Sequence, residues 1–136
     1  MVGPVGNHKV VRFWVAATAD ASITLTPDTD FSKDLHHYTH LGGQGGLGSY
    51  LTYGGPERPI HIGELLGGLQ QFRMFELDWS DGENFKVWSI EGNDAEVVMQ
   101  MPLDKTYELN VLSVRTFSGS TGTWFIEYED EPLANK

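Results

Sequence analysis

Apolar and polar residues alternate along most of the chain. Val11, Phe13 and Val15 fall on one side of the stretch 10–16, against Arg12 and Trp14 on the other, and Ile23 and Leu25 share one face of 22–26. A period of two is that of a strand buried on one face. Similar runs rich in β-branched and aromatic residues occupy 35–41, 49–53, 72–79, 85–90, 96–101, 108–117 and 123–128. About nine short strands set between turn signals predict an all-β fold, a jelly-roll-like antiparallel β-sandwich. Asp81-Gly82 between two alternating runs predicts a tight hairpin, and Gly92-Asn93-Asp94 a similar turn. The one helix candidate, 62–69, is interrupted by Gly67 and Gly68 and predicts a single turn at most.

The length, 136 residues, fits one domain over 1–136, with flexible ends at about 1–8 and 130–136. The chain contains no cysteine, so its core forms without disulfides and it has no thiolate ligand or nucleophile. No apolar run reaches the ~20 residues that span a bilayer, and residues 1–9 do not read as a signal peptide. The expectation is a soluble protein, cytoplasmic or secreted. A formal charge of −10 repels phosphates and anionic membranes, so neither nucleic acid nor membrane is expected as a partner.

Several motifs suggest chemistry that their surroundings do not support. Gly43 to Gly48 reads G-x-G-x-x-G, but the β-prone run Ser49 to Tyr53 follows where a dinucleotide site needs a helix. The glycines instead predict a strand connection with positive φ angles. His36 and His40 share a strand face yet lie about 13 Å apart, too far to ligate one ion, and His37 points the other way. Residues 28–34 resemble the start of an EF-hand loop, but Lys33 stands where glycine belongs and Thr39 where the bidentate glutamate belongs. No serine sits in a G-x-S-x-G elbow, and nineteen acidic residues single out no catalytic pair. Neither a catalytic residue nor a metal site is assigned.

Trp14, Trp79, Trp88 and Trp124, with Tyr38, Tyr50 and Tyr53, offer rings that could stack on a sugar. Half or more of the tryptophans are expected in the core. Trp88 is the exception, because alternation puts it on the same face as Lys86.

These segments together resemble the farnesoic acid O-methyltransferase domain family over residues 10–128. Phe13-Trp14-Val15-Ala16-Ala17 resembles the family's opening strand. Asp20 to Leu25 resembles its D-A-H-I-x-L, with Ser22 in the histidine's place. Tyr38 to Gly46 is similar to Y-x-I-G-G-W-G-N, with Gln44 for the tryptophan. Phe72 to Gly82 resembles F-R-x-F-W-I-x-W-x-D-G, and Thr121 to Ile126 the closing G-x-W-x-I.

The family name implies methyl transfer from S-adenosylmethionine to a carboxylic acid, chemistry ordinarily housed on a doubly wound α/β sheet that this chain does not encode. The order of the strands is also similar in pattern to galectin-type and legume-lectin-type jelly rolls. That likeness implies a lectin without catalysis or cofactor, binding a neutral glycan through His36, Tyr38, His40, Gln44, Tyr50 and Trp88. It also implies a homo-oligomer, in which weak sites gain avidity. The alternatives are a protein interaction module and a methyltransferase using His37 or His61 as base.

Overall fold

The computed structural model describes residues 3–4, 8–26, 37–43, 48–53, 60–63, 65–103, 109, 111–116 and 122–129, and their side chains except at 3, 4, 53, 60–62 and 111. Eleven strands lie among them. In chain order they are β1 (Gly3–Pro4), β2 (Val10–Ala17), β3 (Ala21–Thr26), β4 (His37–Gly43), β5 (Gly48–Tyr53), β6 (Ile60–Ile62), β7 (Arg73–Asp78), β8 (Asn84–Glu91), β9 (Asp94–Pro102), β10 (Val111–Thr116) and β11 (Gly122–Glu129). Each strand expected from alternation is present. The two additions, β1 and β6, are two and three residues long, too short to leave a periodic signal.

The strands form a six-stranded sheet, β1-β10-β3-β4-β5-β6, and a five-stranded sheet, β11-β2-β7-β8-β9. Every pairing is antiparallel. The chain runs β2 in one sheet, β3 to β6 in the other, β7 to β9 back in the first, then β10 and β11 one in each. This is the all-β sandwich of the sequence expectation, wound in a jelly-roll-like path.

Alternation decides what lies between the sheets. Val11, Phe13, Val15, Phe75, Leu77, Phe85 and Val87 face inward from the five-stranded sheet, and Ile23, Leu25, Leu41, Leu51 and Leu112 from the six-stranded one. All are essentially inaccessible to water. Burying each such side chain contributes about 1.5–3 kcal/mol before ordering costs are set against it. Phe13 stacks on Phe75 with centroids 5.4 Å apart. His37 lies flat on Phe85 at 4.4 Å, so this imidazole is a core ring.

The predicted hairpin at Asp81-Gly82 joins β7 to β8. Gly82 has φ +74°, and the Asp81 carboxylate accepts the N–H groups of Asn84 and Glu83 at 2.9 and 2.8 Å. Those bonds favour the charged form and lower its pKa. Gly92, φ +59°, turns β8 into β9. The 62–69 segment holds no helix among its described residues. Its Leu65 and Leu66 are buried in the core, and the Gly68 N–H donates to the Ala17 carbonyl at 3.1 Å.

Candidate functional site

Strand β4 sorts its side chains by parity. His37, Thr39 and Leu41 are buried toward the other sheet, which turns Tyr38 and His40 to the outward face. Register then fixes their neighbours. His40 pairs with Ser22 of β3 and Tyr50 of β5, and Ser22 with Arg115 of β10, so these four form one row across the sheet. Tyr38 stands in the adjacent row between Thr24 and Thr52.

Within this cluster the Tyr38 hydroxyl lies 2.8 Å from His40 Nδ1, and His40 Nε2 lies 3.0 Å from Asp20 Oδ1. A carboxylate only accepts, so Nε2 carries the proton in neutral His40, and Nδ1 accepts from the phenol. The result is a directed chain, Tyr38 O–H to His40 to Asp20. The Tyr50 ring lies parallel to His40, centroids 4.9 Å apart and planes 2° from coplanar, and 6.0 Å from Tyr38. His40 is 93% removed from solvent by these neighbours, at 7% exposure.

Asp20 reaches the imidazole from an unusual backbone. Its φ is +54°, the left-handed region that aspartate tolerates better than most residues. Its N–H donates to the Gly42 carbonyl at 3.0 Å, which fixes the loop before β3 against the end of β4. Gly42 has φ +72°, and a Cβ there would lie 2.7 Å from Leu66 Cδ1. Its N–H donates to Ser49 Oγ at 3.0 Å.

Burial is the main reason that the Tyr38 phenol is pushed up to about 12, with the Ser22 hydroxyl opposing the shift and neighbouring Tyr50 adding to it. At neutral pH Tyr38 is a donor, not a phenolate. Both His40 ring nitrogens are engaged, so this residue positions the rings. At the outer surface of this cluster stand the half-buried rings of Tyr38 and Tyr50, Thr24, Thr52 and exposed Arg115.

Of the six residues expected at the site, Tyr38, His40 and Tyr50 come together. His36 and Gln44 lie outside the described residues. Trp88 is a correction: β8 belongs to the five-stranded sheet, and Trp88 faces outward there, beside Glu76 in the register. It is half-buried and cannot reach Tyr38 or His40 across the sandwich. His37 is also corrected as a candidate base, because it is 1% exposed within the core. His61 pairs with Ser49, with its side chain outside the described residues.

Gly43 ends β4 and Gly48 begins its antiparallel neighbour β5, so the G-x-G-x-x-G run lies between two hairpin strands, with 44–47 undescribed. Among the described residues no three His, Asp or Glu side chains gather in a way that could hold a metal. The 28–34 loop lies outside them. No helix among them is long and apolar enough to cross a membrane.

Asp20, Ser22 and Arg115 were not singled out from sequence. Asp20 and Ser22 sit in the D-A-x-I-x-L segment, but contact with His40 depends on strand pairing that no local pattern encodes.

A family model described as farnesoic acid O-methyltransferase matches residues 2–130. No curated protein matches the chain. The match takes in both sheets and every strand described above, and the chain belongs to the farnesoic acid O-methyltransferase domain family.

Proposed function

We propose that the chain is a lectin-like binding module that holds a neutral sugar, without catalysis or cofactor, on the outward face of the six-stranded sheet. The observation that carries this reading is the Asp20–His40–Tyr38 chain with Tyr50 stacked beside it. Flat rings match the apolar face of a pyranose, and hydroxyl and guanidinium groups at their rim match its oxygens. The hydrogen bonds fix the rings before a ligand arrives, which lowers the ordering cost of binding. A homo-oligomer would add avidity to sites that are individually weak.

The test is a glycan array run with and without a calcium chelator, followed by His40→Ala and Tyr50→Ala on any hit. Saturable binding that survives chelation and falls about tenfold or more in either folded variant supports the reading. A blank array from the folded protein refutes it.

The family description favours a second reading, methyl transfer to a carboxylic acid. The residues described do not fit the ordinary methyl-donor site, which lies at the C-terminal ends of parallel strands that open into helices. Here all described pairings are antiparallel. Methyl ester formation from S-adenosylmethionine and farnesoic acid by the purified protein would favour this second reading over the first.

A further inference from the structure

The outward face of the five-stranded sheet carries a row of apolar side chains that the core does not use. Register places Phe125 beside Trp14, Trp14 beside Met74 and Met74 beside Ile90, one residue from each of β11, β2, β7 and β8. Phe125 is 60% exposed and Phe72 44%, and their rings meet at 5.4 Å. Two of the chain's exposed large apolar residues therefore stand together. Soluble proteins rarely leave such groupings open without a use.

Next to them is a hollow of about 640 Å³, lined by Trp14, Gln71, Phe72, Arg73, Met74 and Glu91 among others. That size lies within the roughly 300–1,000 Å³ range of small-molecule sites. Its polar lining is specific. Arg73 and Glu91 form an ion pair, so opposite charges cancel there. Arg73 Nε is buried and has no partner among the described residues. The Arg73 side chain as a whole is 25% exposed, and its guanidinium carries further N–H donors that an occupant's oxygens would meet. Exposed Gln71 adds an amide that both donates and accepts.

We propose that this hollow is a second ligand site, for a neutral hydroxylated ring of the hexopyranose class. The aromatic row takes the apolar face of the ring, and Arg73, Gln71 and Glu91 bond its hydroxyls. An anion is disfavoured by Glu91 and by the chain's net charge of −10, and an ammonium brings no acceptor for the Arg73 guanidinium. The site stands on its own geometry, on the opposite side of the sandwich from Tyr38 and Tyr50. With both sites filled, one copy of the chain would bridge two glycans.

The experiment is a ¹H–¹⁵N titration of the protein with cellobiose, lactose, maltose and N,N′-diacetylchitobiose, each to about 10 mM, a range suited to weak sites. The expected result is saturable shifts at Trp14, residues 71–74 and residues 90–92 with at least one disaccharide. Phe72→Ala, at an exposed position, should weaken that binding about tenfold, and Arg73→Lys should weaken it while the remaining spectrum stays dispersed. Tyr50→Ala should leave it unchanged.

Shifts confined to 38–52 would overturn this second site while upholding the first, and shifts confined to Trp14, 71–74 and 90–92 would do the reverse. No shift at the hollow with any of the four sugars overturns the proposal. So does self-association abolished by Phe72→Ala without sugar shifts, which would make the face an interface between copies.

Discussion

Raising the pH through the tyrosine range is the most direct probe of the Tyr38–His40–Asp20 chain. Tyr38 has an unfolded pKa of 10.0 and a folded value of about 12. A raised folded value means that the native state favours the protonated phenol. The associated stability is fully present below pH 10 and is lost as pH climbs through 12. Two pH units correspond to about 2.7 kcal/mol, but the ring is half-buried and water screens one side, so about 1 kcal/mol is the expected loss.

The assay is urea unfolding followed by tryptophan fluorescence at pH 9 and at pH 11.5, for the native chain and for Tyr38→Phe. The variant forfeits the bond to His40 Nδ1, about 1 kcal/mol at pH 9. It should lose correspondingly less between the two pH values. Phenolate absorbance gives an independent reading: burial also raises the Tyr128 phenol, so Tyr38→Phe should shrink the late-titrating component by one tyrosine and leave the remainder. Equal losses in both proteins, with the late component undiminished in the variant, would refute the placement of Tyr38 as a buried donor.

Two further perturbations address the framework around the sites. Arg12→Ala withdraws the guanidinium that lies 2.8 Å from the fully buried Glu76 carboxylate, and should cost about 3–5 kcal/mol in urea unfolding. Arg12→Met combined with Glu76→Leu should recover most of it; if the double variant is no more stable than the single one, the buried carboxylate is not the cause. Gly42→Ala combines a left-handed φ with contact against Leu66, about 2–4 kcal/mol together, whereas Gly82→Ala, with nothing within 4 Å of its added methyl, should cost about 1. Equal midpoints for the two alanines would show that Leu66 yields freely.

The strands were legible because most of them turn alternate apolar side chains toward the core, and one-sided packing writes itself as alternation. The turns at Asp81-Gly82 and Gly92 were legible because a positive φ selects glycine. Which strands meet is another matter. Alternation correctly set Trp88 on the same face as Lys86, yet it carries no record of the sheet to which β8 belongs, and that alone separates Trp88 from Tyr38. Trp88 is also less open than its lysine neighbour implied. Of the four tryptophans only Trp79 is fully buried, since Trp14 and Trp88 face outward and Trp124 packs at the margin of the core. Asp20 was missed for a similar reason, because its carboxylate meets an imidazole twenty positions away through the pairing of β3 with β4.

The outward cluster on the six-stranded sheet is poorly explained as a stabilising device. Its hydrogen bonds each add about 0.5–1.5 kcal/mol net, while the inward aromatic and aliphatic side chains supply far more. Asp20 also holds a left-handed backbone that costs about 1–2 kcal/mol, offsetting much of what its bond to His40 returns. What that expenditure does secure is orientation. His40 cannot rotate without breaking bonds at both nitrogens, and Tyr50 lies on the ring so fixed. Rings held in place at little net gain in stability are what the proposed sugar-binding role would require of this face.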